Sequence, residues 1–127
     1  MKNLLVILFS ISNVTFAAKE CVSDMWDISS ELGIRNALVC IDGEPRSAGF
    51  YEARVQCHKE RKKLCTIEQL MAATAYPEQV KWRGEEWLDY RVGNHDLTFN
   101  YDAKARKAAI ERLIFGGSLK YRCCYTD

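Results

Sequence analysis

Six cysteines, at Cys21, Cys40, Cys57, Cys65, Cys123 and Cys124, follow an apolar leader in a chain of 127 residues, and this pairing of features narrows the possible folds more than any other. Met1-Lys2-Asn3 carries one positive charge, Leu4 to Ile11 is apolar apart from Ser10, and small residues follow. That run falls well short of the roughly 20 apolar residues that span a bilayer core. It therefore reads as a cleavable signal peptide over residues 1–17, cut after Ala17, with Thr15 and Ala17 at the small positions before the cut. Lys19-Glu20 ahead of Cys21 does not suit a lipid anchor. The remaining residues, 18–127, are expected to form a single secreted or periplasmic domain with no transmembrane segment. An even set of cysteines in an exported chain is expected to become disulfides, and the residues alone leave every pairing open.

Charge excludes some partners. Lysine and arginine total 18 against 17 acidic residues, and loss of Lys2 leaves the mature chain formally neutral. No strong overall field would gather nucleic acid, so none is expected as a partner. Arg54, Lys59, Arg61, Lys62 and Lys63 do cluster, a patch of a size that suits phosphate or an anionic polysaccharide. Glu52 and Glu60 interleave with them, which suits an ordinary solvated helix face. His58 and His95 stand outside any zinc-like Cys/His spacing, and no serine or cysteine sits in a nucleophile elbow. Tyr76-Pro77-Glu78 and Asn94-His95-Asp96 are faint echoes of calcium-binding segments, and turn chemistry accounts for them. No catalytic residue, metal or cofactor is expected.

Periodicity divides the mature chain. A short strand from Cys21, a turn at Gly33 and a strand over Asn36–Ile41 lead into a loop marked by Gly43, Pro45 and Gly49. Phe50, Ala53 and Cys57 share a helical face, predicting a helix over Phe50–Lys63. Thr66 with Gln69 forms a capping-box pattern that opens a second helix ending before Tyr76-Pro77. Trp82–Val92 is aromatic and β-branched enough for strand and turn, closed by Gly93-Asn94. Ala105, Ala109 and Leu113, four apart, predict a helix over Asp102–Arg112. Leu113-Ile114-Phe115, a Gly116-Gly117-Ser118 turn and Leu119–Tyr125 predict a final hairpin. The sum is an α+β domain.

The order of the motifs carries a resemblance. Cys21-Val22-Ser23-Asp24-Met25, Cys40-Ile41-Asp42-Gly43-Glu44, Ala53 with Cys57, and Lys63-Leu64-Cys65-Thr66-Ile67-Glu68 succeed one another. Glu86-Trp87-Leu88-Asp89, Gly116-Gly117-Ser118 and Tyr121-Arg122-Cys123-Cys124 complete the series. Over nearly the whole mature chain this succession resembles the formylglycine-generating enzyme, or sulfatase-modifying factor, domains. The chain departs from the family pattern at several places. Glu60 stands where the family glycine precedes the basic pair, Phe115 replaces an arginine, Leu119 a tryptophan and Tyr121 a glycine-phenylalanine entry.

The resemblance implies a minimal C-type-lectin-like fold, with two central helices packed on a small, mainly antiparallel, disulfide-bonded sheet. It also implies bridges from Cys57 to one of Cys123 or Cys124, from Cys65 to the other, and from Cys21 to Cys40. Oxidase members of the family place a catalytic cysteine pair on an insert after Gly-Gly-Ser. Here only Leu119–Arg122 separate Ser118 from Cys123, so the insert has no counterpart. The expectation is a bacterial, non-catalytic binding module whose ligand is a glycan or an envelope protein, taken up on the late surface bearing Trp82, Arg83, Tyr90 and Tyr101. Alternatives are a shortened oxidoreductase working through Cys123-Cys124, and a structural envelope protein.

Overall fold

A computed structural model describes residues 20–92, 95–113 and 117–127. The expected signal peptide lies outside the described residues, as do Gly93-Asn94 and Ile114-Phe115-Gly116. Strands β1 (Met25–Asp27), β2 (Val39–Asp42) and β3 (Arg46–Ala48) precede helix α1 (Phe50–Lys59). Strand β4 (Lys63–Leu64) and helix α2 (Ile67–Ala73) follow, then β5 (Glu86–Val92), β6 (His95–Asp102) and β7 (Lys107–Leu113). Strands β8 (Leu119–Tyr121) and β9 (Cys123–Thr126) end the chain. They build two sheets, ordered β1-β2-β9-β4 and β3-β8-β5-β6-β7. Every pairing is antiparallel except β5 with β8.

This arrangement corrects the expected one. The described residues hold two short helices, of ten and seven residues, and neither is central. Helix α1 buries only Ala53 and Cys57, and α2 only Leu70 and Ala73. The large buried side chains Val39, Ile41, Trp87, Leu88 and Phe99 stand on strands. Burial of apolar area drives folding, so two sheets form the frame and each short helix adds two buried side chains to a core.

The predicted third helix is instead strand β7. Its register with β6 is unbroken from Asp102↔Lys107 to Asp96↔Leu113. The Asp102 carboxylate accepts from the backbone N–H groups of Lys104 (3.0 Å) and Ala105 (3.2 Å), and Arg106 takes φ +55°, which together reverse the chain. Every side chain from Lys107 to Arg112 is exposed, so the four-residue alanine spacing has no apolar face to pack, and pairing with β6 prevails. The predicted final hairpin is also corrected. Leu113 belongs to β7, whereas β8 lies between β3 and β5, so the two ends of that segment belong to different strand neighbours.

Local signals at the helix ends fold as their chemistry dictates. The Thr66 hydroxyl accepts from Gln69 N and the Gln69 side chain accepts from Thr66 N, closing the capping box. Helix α1 is shorter than predicted because it ends in a Schellman turn: Lys62 N–H reaches Cys57 O at 2.8 Å and Arg61 N–H reaches His58 O at 3.0 Å. The residue in the left-handed conformation is Arg61, at φ +62°, whereas Glu60 has φ −88°. The glycine-favouring position of this turn is therefore Arg61.

Three bridges fasten the frame: Cys21–Cys40, Cys57–Cys123 and Cys65–Cys124, and no described cysteine is free. Adjacent residues on a strand point to opposite faces. Cys124 accordingly belongs to the larger apolar cluster with Cys65, Ile41, Leu70, Leu88 and Phe99. Cys123 belongs to a second cluster with Cys57, Ala53, Leu64, Trp87 and Tyr121. Strand β9 is therefore the partition between two cores, stapled to α1 on one side and to the β4–α2 junction on the other.

Candidate functional site

Between Tyr121 and Cys123, where the chain passes from one sheet to the other, stands Arg122, 1% exposed. A guanidinium has five N–H donors, and all five are used. Nε donates to Glu86 Oε1 at 2.7 Å and Nη2 to Glu86 Oε2 at 2.8 Å. Nη1 donates to the carbonyls of Asp42 (2.8 Å) and Gly43 (3.1 Å), and Nη2 also donates to the carbonyl of Lys81. The Trp82 ring lies over the guanidinium, 4.6 Å from centroid to Cζ. Gly43 fits here because an added Cβ would stand 2.9 Å from the Gln79 carbonyl oxygen. Burial pushes the wholly buried Glu86 carboxyl upward, while the hydrogen bonds and charge of Arg122 oppose that shift. This is a structural hub, joining β5, the β2–β3 loop and the crossing strand.

Sequence reasoning found the segments that hold Glu86 and Arg122 but gave these side chains no role. One signal was available: an arginine between Tyr121 and Cys123 in an apolar run cannot be buried unless a carboxylate is buried with it.

Of the four residues read as a ligand surface, Trp82 and Tyr101 pack on one another, while Arg83 and Tyr90 are exposed. Trp82 is half-buried, packed on Phe99 (centroids 5.6 Å apart) and Tyr101 (5.4 Å) as well as on Arg122. Its Nε1 is buried with no hydrogen-bond partner among the described residues. Tyr101 is half-buried against the larger core through Trp82. Arg83 is exposed and pairs with Glu44 at 3.0 and 3.3 Å, a contact that lowers the Glu44 carboxyl below the usual range. Tyr90, 57% exposed on β5, has no ring contact with Trp82 or Tyr101 among the described residues.

Charged groups gather instead around the end of α1. Arg46 grips Glu60 with both nitrogens, Nη1 to Oε2 at 2.6 Å and Nη2 to Oε1 at 3.0 Å, and Gln56 Nε2 adds a bond at 2.8 Å. The Arg46 hydrogen bond, helped by Gln56 and Lys62, holds the Glu60 carboxyl down at about 2 against the raising effect of burial. Lys62 Nζ lies 3.5 Å from both Asp42 and Glu60. Asp42 also accepts from Cys123 N at 2.8 Å. This network borders a cleft of about 680 Å³.

Two adjoining grooves of about 550 and 580 Å³ run along α1 and β4. They share His58, Lys62, Lys63, Leu64 and Asp89. Arg61 lines the first groove, and Tyr51, Arg54 and Lys59 line the second. Among the described residues, no group of three or more His, Cys, Asp or Glu side chains has the proximity to hold a metal, and no helix is long and apolar enough to cross a membrane.

Comparison with protein-family models, with curated proteins and with solved structures found no match.

Proposed function

We propose that this chain is an exported, disulfide-stabilised, non-catalytic binding module, a shortened relative of the formylglycine-generating-enzyme domains, that takes a glycan or an envelope protein on its surface. The observation that carries this reading is the use of Cys123 and Cys124. Both are buried, and both are engaged in bridges that anchor β9 to its neighbours. Thiolate, not disulfide, is the nucleophile and metal ligand. The shortened-oxidoreductase alternative therefore requires that one of two core staples open first. Three bridges in a small domain also suit an oxidising compartment, secreted or periplasmic.

The test is capture. The mature protein, immobilised with its bridges intact, is offered a panel of neutral and acidic glycans, peptidoglycan fragments and purified envelope proteins. Saturable retention of a member of the panel is the expected result. Retention of none, by a preparation shown to be folded and oxidised, removes the binding reading.

A further inference from the structure

The basic run of α1 and β4 looked neutralised in the sequence by Glu52 and Glu60, but neither lines the two grooves, and Glu60 is engaged by other partners. Glu60 is held by Arg46 and Gln56, and Lys62 lies within ion-pair distance of Asp42 and Glu60. Lys59, Arg61 and Lys63 are left exposed, with no acidic side chain within ion-pair distance among the described residues. All three border the adjoining grooves. The carboxylate that lines those grooves, Asp89, is 3.7 Å from Arg54. Tyr51, 76% exposed, stands on the second groove and offers a bare ring face.

A second observation is independent of charge. Arg61 occupies the left-handed position of the Schellman turn, where glycine is the residue of least strain. A long cationic side chain is kept there at a conformational cost, at a residue that lines the first groove. Strain held at a solvent-facing position points to a use for the side chain.

We propose that these two grooves form one binding surface for an acidic polysaccharide, with Lys59, Arg61 and Lys63 contacting its sulfate or carboxylate groups and Tyr51 stacking on a sugar ring. This deepens the binding-module reading and rests on it. The shape favours a polysaccharide over other polyanions. A thin chain with spaced charges enters a concave groove, whereas a bilayer requires a broad basic face with apolar side chains to insert. Single-stranded nucleic acid is held by stacking successive bases on several aromatic rings, and Tyr51 is the one tyrosine, phenylalanine or tryptophan among the residues lining the two grooves. Aromatic rings supply contact area at low entropic cost.

The experiment is isothermal titration of the full mature protein with a heparin-derived octasaccharide. Neutral dextran, phosphatidylglycerol vesicles and a single-stranded oligonucleotide serve as comparisons. The octasaccharide is expected to bind, with a log–log salt slope of magnitude about 2 to 3 for about three released counterions. The Lys59→Gln/Arg61→Gly/Lys63→Gln variant is expected to bind about tenfold more weakly or worse. Lys107→Gln, on the exposed strand β7, is expected to bind as the parent does. Arg61→Gly alone relieves backbone strain, so weaker binding by this more stable variant separates a ligand contact from a fold defect. Equal binding by the triple variant, or tighter binding of vesicles or oligonucleotide than of the octasaccharide, overturns the proposal. If the protein instead holds only a neutral glycan or an envelope protein, the groove proposal falls and the binding-module reading stands; if it holds nothing in either panel, both fall.

Discussion

Arg122 and Arg61 have opposite relations to their surroundings. Arg122 is wholly buried with every donor satisfied, so its worth depends on keeping its partner. Glu86→Gln removes the charge that compensates the guanidinium, and the expected loss is about 3–5 kcal/mol, read as a shift in the urea midpoint. Replacing both, as Glu86→Leu with Arg122→Met, should recover part of that loss, because two apolar side chains leave no buried charge unpaired. Arg61 is exposed and its backbone, not its contacts, sets the energy. Arg61→Gly should raise stability by about 0.5–1 kcal/mol, since relief of the left-handed cost at φ +62°, about 1–2 kcal/mol, exceeds the added chain entropy of glycine, about 0.5–1 kcal/mol. An unchanged or lowered midpoint would mean that the cation's interaction with the end of the α1 helix outweighs the strain.

At the scale of elements, β7 and the end of α1 both show neighbours deciding what local sequence left open. Ala109 lies opposite Asn100 on the exposed β6–β7 ladder. Ala109→Thr should stabilise by up to about 1 kcal/mol in a strand, whereas the same change in the predicted helix would cost about 0.5 kcal/mol. Thermal unfolding of that variant reads the sign directly. The Arg46–Glu60 contact joins β3 to the turn after α1. The Glu60 carboxyl lies at about 2 in the folded chain against an ordinary 4.5, so it binds its proton more readily once unfolded. Its contribution is therefore complete above about pH 4.5 and fades as pH falls towards about 2. Urea midpoints measured from pH 6 to pH 2.5 should decline less steeply for Glu60→Gln than for the parent.

For the whole molecule, the three bridges are expected to appear as a mass six hydrogens below that of the reduced protein, with no alkylation under denaturing, non-reducing conditions. Each bridge is worth about 2–4 kcal/mol, so reduction should unfold the domain well below its oxidised midpoint. An alkylated Cys123 or Cys124 would return the oxidoreductase alternative to contention. Much of this molecule was legible in the order of its residues. The even cysteines indicated bridges, the Thr66–Gln69 spacing indicated the second helix, and the apolar run at Asn36–Ile41 indicated a strand, which the structure places at Val39–Asp42. Those features depend on chemistry within a few residues or on compartment, and both travel with the sequence. Strand β7, the placing of β8 between β3 and β5, the pairing of Cys57 with Cys123 rather than Cys124, and the escort of Arg122 by Glu86 were settled only by tertiary structure. Each joins residues distant in sequence, where apolar burial and hydrogen-bond satisfaction override local preference. The same holds for the basic grooves: composition counts Glu60 beside Lys59 and Arg61, but Arg46 and Gln56 engage its carboxylate and it does not line the grooves.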